Sequence, residues 1–222
     1  MKSIFAIRKN ILRSAAVMLT VLFLSSCSLS SAFGLGDNDY SAEKITGTLE
    51  QDCAKWRELE DMLGTLTVNS AAVAEFDNMR DAVSQCRDSL LNYMTNRDYK
   101  KYAGNSALLE PIAKKYPEYD IAVAVPQADF EAEMYKYFGG SVKITHKSTE
   151  LFRYLEAAEV YVPITSPISG GAALTLTSAE ETENTYRLRF TSSDGETELS
   201  YVAIAVKRED GTQYFSAVLR SE

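Results

Sequence analysis

Residues 186–220 read YRLRFTSSDGETELSYVAIAVKREDGTQYFSAVLR, three runs of period two separated by two Asp-Gly turns. In the first run Tyr186, Leu188 and Phe190 alternate with Arg187 and Arg189. That is the pattern of a strand with one face in a core and the other in water. Ser193-Asp194-Gly195 and Glu209-Asp210-Gly211 supply the turns, because glycine reaches positive φ at little steric cost. The spacing predicts strands at 186–192, 199–207 and 213–220, joined as an antiparallel meander.

Upstream the same period predicts strands at 141–146, 151–155, 160–164 and 172–177, for a curved antiparallel sheet of four to six strands. Before them, residues 127–138 carry Phe130, Met134, Tyr137 and Phe138 at helical spacing, and Gly139-Gly140 ends the helix. Residues 121–125, closed by Pro126, form a buried strand or an extended lead-in to that helix. Residues 96–119 are polar, with tyrosines at 99, 102, 116 and 119 and lysine pairs at 100–101 and 114–115. The lysines read as a solvated face rather than an anion site. Asn105 or Ser106 starts a short helix containing Leu108, Leu109 and Ile112, with Pro111 acceptable only near its first turn.

Toward the N-terminus, Ile45, Leu49, Cys53, Trp56, Leu59 and Leu63 recur at three and four residues, which predicts a helix over 41–63 stopped at Gly64. A second helix, capped by Asn69 or Ser70, carries Ala72, Phe76, Met79, Val83, Cys86, Leu90 and Tyr93. A short turn between them makes a helical hairpin with facing stripes. The expected class is therefore α+β: a helical region over 41–120, then a helix-on-sheet domain over 121–222. The second part looks like the cone-shaped helix-on-sheet folds, a likeness that carries no function with it.

The first 26 residues read as an export signal. Lys2, Arg8, Lys9 and Arg13 precede an uncharged apolar run, 15–24, which is shorter than the roughly 20 residues a membrane-spanning helix needs. Leu24-Ser25-Ser26-Cys27 closes it. An aliphatic residue, two small residues and cysteine resemble the lipobox of bacterial lipoprotein precursors. The resemblance implies a diacylglycerol on the Cys27 sulfur, cleavage before Cys27 and acylation, palmitate included, of the new amino terminus. It places the protein on the extracytoplasmic face of a cell membrane. Residues 27–40, rich in Ser, Gly and Asp, read as a flexible tether. Asp37-Asn38-Asp39 lacks the later glycine and glutamate of a calcium loop.

The signal holds four of the 23 basic residues and no acidic one, leaving 19 against 31, a formal −12 for the remainder. Such a body is repelled by nucleic acid and anionic head groups, so no nucleic-acid partner is expected. Membrane contact comes through the lipid, and an envelope protein or wall component is the expected partner. With Cys27 lipidated, Cys53 and Cys86 are left as a pair in an oxidising compartment. They form either a disulfide or two buried free thiols. Counting layers out from the turn sets Cys53 nearer Val83 than Cys86, so a bridge requires the helices to slide by one layer.

Catalytic signals are weak. The one histidine, His146, sits at the polar end of an expected strand and reads as exposed; a His-pair metal site is excluded. No Gly-x-Ser-x-Gly elbow and no phosphate-binding glycine loop occur, so no catalytic residue, metal site or cofactor is assigned. Glu180, Glu181 and Glu183 form the densest acidic cluster, in an expected loop. Ser166-Pro167-Ile168-Ser169-Gly170-Gly171 is a long connection of the kind that carries binding, though a structural hairpin loop explains it as well. Two functions from different classes fit: a surface-tethered, non-catalytic binding module, or a small envelope hydrolase or isomerase with a pocket of carboxylates and tyrosines. A carboxyl of raised pKa in a pocket favours the second.

Overall fold

The structure is a computed structural model of the 222-residue chain and describes residues 43–68, 71–140, 143–164 and 172–221. The export signal, Cys27, the tether, Asp37-Asn38-Asp39 and the 166–171 connection lie outside the described residues. The chain divides into two units, Met1–Glu43 and Lys44–Glu222, and every described helix and strand belongs to the second.

In chain order this unit runs β1 (Gly47–Thr48), α1 (Ala54–Leu63), α2 (Met79–Gln85), α3 (Arg87–Arg97), α4 (Tyr99–Tyr102), α5 (Ser106–Lys115), β2 (Val125–Pro126) and α6 (Gln127–Phe138). Then come β3 (Phe152–Leu155), a 3-10 turn (Glu156–Ala158), β4 (Val160–Pro163), β5 (Ala173–Glu181), β6 (Thr185–Ser193), β7 (Glu198–Lys207) and β8 (Gln213–Arg220). All strand pairs are antiparallel, in a five-stranded sheet of order β1-β5-β6-β7-β8 and a three-stranded sheet of order β2-β4-β3. The class is α+β.

The meander and α6 form as the sequence predicts. Phe130, Met134, Tyr137 and Phe138 are all buried, and α6 lies on β8 with Phe138 against Phe215 at 6.4 Å. Leu188, Phe190, Tyr201 and Ala203 meet them from the sheet, and Leu59, Leu63, Leu90 and Leu91 from α1 and α3. Each large apolar side chain removed from water stabilises the fold by about 1.5–3 kcal/mol.

The N-terminal helices are shorter than expected. Residues 47–48 join the sheet edge against Glu180 and Glu181, Asp52 takes a left-handed φ of 65°, and Cys53 caps α1 by accepting from the Trp56 N–H. The second helix begins at Met79, where the Asn78 side chain accepts from the Asp81 N–H at 3.0 Å, and it breaks at Cys86. The joining segment is no tight turn, because Phe76 exchanges backbone hydrogen bonds with Val218 on the free edge of β8.

Three further expectations change. Residues 143–150 are not a strand: the Arg87 guanidinium donates to the carbonyls of Thr145 (2.8 Å) and Lys147 (3.3 Å), which a strand partner would otherwise occupy. Strand β5 runs four residues past the predicted end, after a bulge between Leu176 and Ser178. Pro111 lies in the second turn of α5, beyond the first turn expected for it.

Candidate functional site

The three-stranded sheet separates two cores. Phe152 and Tyr161 face α6 and the main core, whereas Leu155, Val160 and Val162 face Ile112 of α5 and a smaller core. Alternation along β3 puts Tyr154 on the first side and Arg153 on the second. Each side carries its own set of polar groups.

On the α6 side the polar groups form a chain. The Lys147 N–H donates to Tyr161 Oη, which donates to His146 Nδ1 at 2.8 Å. His146 Nε2 then donates to Glu131 Oε1 at 2.7 Å, where Gln127 Nε2 also donates at 3.1 Å, and Tyr154 Oη donates to Gln127 Oε1. This order gives each hydroxyl and ring nitrogen one consistent role. His146 is therefore not the exposed strand-end residue the sequence suggests; its side chain is 10% exposed and packs against Tyr154 and Phe130. Burial pushes the Tyr161 phenol up to about 12, opposed by the Arg87 charge. A carboxylate, an imidazole and a phenol in a row have the composition of a proton relay. Here both imidazole nitrogens are engaged and Tyr161 is fully buried, so the row latches α6 to β4.

A second polar group lies between α1, α3 and α6. Tyr93 donates to Asp61 at 2.9 Å, and Arg97 donates to the hydroxyls of Tyr93 (2.8 Å) and Tyr137 (2.6 Å). These groups also use one another.

Asp88, in the first turn of α3, lines a cavity of about 510 Å3 together with Ser89 and Glu150. Burial pushes its carboxyl up; the Thr149 hydroxyl bond pulls it back and the Glu150 charge adds to the rise. The Leu151 N–H also donates to it, so the carboxylate ties the α3 start to the segment before β3.

On the α5 side a cavity of about 380 Å3 opens at the end of the smaller core, between residues 118–123 and the far half of β4. Arg153 lines it, its guanidinium carbon 4.1 Å from the Tyr119 ring centroid. Among the described residues the guanidinium has no hydrogen-bond acceptor and no ion-pair partner. Strand β2 pairs only with Val160 and Tyr161, which leaves the edge of β4 open toward the cavity. The Ile164 N–H points to Leu151, just before β3, so by alternation the open edge falls to Pro163, which has no N–H. That position offers no donor to an added strand, and the cavity has the volume of a small-ligand site.

The structure also places the remaining sequence candidates. Cys53 and Cys86 are free thiols in this structure: Cys53 is half-buried at the α1 cap, and Cys86 is buried at the α2–α3 break, where burial pushes its thiol up. Glu180 and Glu181 are on β5 rather than in a loop, beside Arg187 (3.8 Å) and Lys207 (2.7 Å), and Glu183 is exposed. Lys101 pairs with Asp129 at 2.9 Å, and Lys115 donates to the Ala157 carbonyl. Among the described residues no helix is long and apolar enough to cross a membrane, and no three His, Cys, Asp or Glu side chains gather as metal ligands. Arg153, Tyr119, Glu131 and Asp88 carry no motif. No sequence spacing brings them out, because their partners come from segments distant in the chain: Tyr119 meets Arg153, His146 meets Glu131 and Thr149 meets Asp88. Comparison with family models, curated proteins and solved structures gave no match.

Proposed function

We propose that this chain is a lipid-anchored protein of the bacterial cell envelope whose body binds a ligand without transforming it. The lipobox-like Leu24-Ser25-Ser26-Cys27 supports the anchor. The observation that carries the non-catalytic reading is the bonding within the Glu131–His146–Tyr161 row: both imidazole nitrogens are taken by row partners, and the phenol is buried out of reach of any substrate. Catalysis by a general acid or base requires such a group within hydrogen-bond reach of a bound substrate. The anchor is tested by expressing Cys27→Ala beside the wild type. Wild-type protein partitions into detergent and carries fatty acid, and the variant stays unprocessed or is released. Wild type free in the medium with an ordinary cleaved end overturns the anchor.

Asp88 favours a second reading, a small hydrolase or isomerase, since it is a carboxyl of raised pKa beside a cavity. Its two hydrogen bonds to residues 149 and 151 weigh against that role. Complete failure of Asp88→Asn to rescue a deletion phenotype, with the fold retained, would establish the enzyme; a gradual loss of rescue fits the binding module.

A further inference from the structure

We propose that the cavity beside Arg153 binds a zwitterion of the amino-acid type, its carboxylate on Arg153 and its ammonium toward Glu118 and Asp120. This ligand class rests on the non-catalytic binding reading and gives it a chemical identity. The state of Arg153 points to it first. Stacking on Tyr119 at 4.1 Å covers one face of the guanidinium and leaves its edges, which carry the N–H groups, without an acceptor among the described residues. A guanidinium resting on a ring with its N–H groups open is free to take the two oxygens of a carboxylate.

The surroundings narrow the choice. Glu118 and Asp120 line the same cavity, and neither has an ion-pair partner among the described residues. Together with the acidic body they oppose a simple anion such as phosphate or a dicarboxylate. A ligand that brings an ammonium along with its carboxylate meets both signs and is neutral overall. Ile121, Val162 and Ile164 supply an apolar wall for a small side chain. The cavity, about 380 Å3, lies within the range of small-molecule sites, roughly 300–1,000 Å3. The open edge of β4 ends at Pro163, so a long extended peptide has no N–H to pair with there. The ligand is a free amino acid or the end of a short peptide.

The test is calorimetric titration of the full chain in detergent with dialanine in both configurations, alanine, dialanine methyl ester and acetate. Dialanine or alanine is expected to bind saturably at one site, and whichever is tighter identifies a peptide end or a free amino acid as the source. The ester and acetate bind weaker by about tenfold or more, the loss expected for a charge-assisted pair. Arg153→Gln weakens binding by a similar factor. Ala122→Phe, which fills the cavity from an exposed wall position, abolishes it. Circular dichroism melts of both variants establish that they fold. Absence of saturable binding in folded wild type, or binding indifferent to both folded variants, overturns the proposal and leaves the anchored, non-catalytic reading standing. Release of free alanine from dialanine during the titration has the opposite effect: the non-catalytic reading fails and the site stands.

Discussion

His146 Nε2 stands 2.7 Å from Glu131 Oε1 while Nδ1 of the same ring stands 2.8 Å from Tyr161 Oη, so one imidazole joins α6 to the central strand of the small sheet. Removing the ring strips two hydrogen bonds and leaves the buried Tyr161 hydroxyl without an acceptor for its proton. His146→Ala is therefore expected to destabilise the fold by about 2–3 kcal/mol, and Tyr161→Phe by about 1 kcal/mol. Because both act on one bond, the double variant should lose less than the sum. Urea unfolding measures all three; a His146→Ala loss under about 0.5 kcal/mol, the range of ordinary surface changes, would mean the latch is idle.

Asp88 makes a prediction about pH. Its carboxyl is raised in the fold, chiefly by burial, so the folded state binds more protons than the unfolded one. Stability then falls as pH rises from the unfolded value of about 3.9 through the raised folded value, and stays lower above it. Asp88→Asn keeps an acceptor oxygen without the charge. It should melt higher than wild type at pH 7, with the gap closing below about pH 4. A variant less stable than wild type at pH 7, with the deficit shrinking below about pH 4, would show that the bonds of the carboxylate to Thr149 and Leu151 outweigh its burial.

Gly139 ends α6 with φ at +83°, and a Cβ there would sit 2.8 Å from the Tyr214 ring. Gly195, at φ +92°, has open space around it. Gly195→Ala should cost about 1–2 kcal/mol of backbone strain alone, whereas Gly139→Ala adds overpacking for a total of about 2–5 kcal/mol. Equal melting temperatures for the two variants would contradict the Tyr214 contact.

The thiols offer a labelling test. Half-buried Cys53 should react with iodoacetamide in the native protein, and buried Cys86 only after unfolding. A native mass lower by two hydrogens, with neither thiol labelled before reduction, would instead establish the bridge.

The parts of the fold that are legible in the sequence are those where local chemistry and tertiary placement agree. Helix α6 is readable because Pro126, the Phe130–Met134–Tyr137 stripe and Gly139 all specify the same bounds. Strand β8 is readable because Asp210-Gly211 fixes its start. Strand β5 reads too short because the bulge at Thr177 reverses the inside–outside phase, so Ala179 and not Ser178 faces the core. Ile45 and Leu49 imitate a helical stripe, yet they flank an edge strand, and Ile45 is 42% exposed. Asn69 and Ser70 mask Asn78, the true cap, because Phe76 fits the helical spacing while pairing with Val218. The site residues stay hidden for another reason: Arg153 and Tyr119, like His146 and Glu131, meet only once β3, β4 and α6 are in place.

The two edges of the large sheet are closed by residues from the beginning of this unit, 47–48 on β5 and Phe76 on β8. Thr46 and its partner Glu181 are 135 positions apart. The order of synthesis therefore sets the closing residues ahead of the strands they close. The residues that finish the sheet leave the ribosome first, and the strands they finish are the last to follow. Contacts of such long range are slow to form, because the closure entropy of the intervening chain comes before any gain from pairing. A growing chain of this sequence holds its sheet open until its final residues are made. For the proposed membrane export, which passes a chain through in the unfolded state, such a delay is favourable.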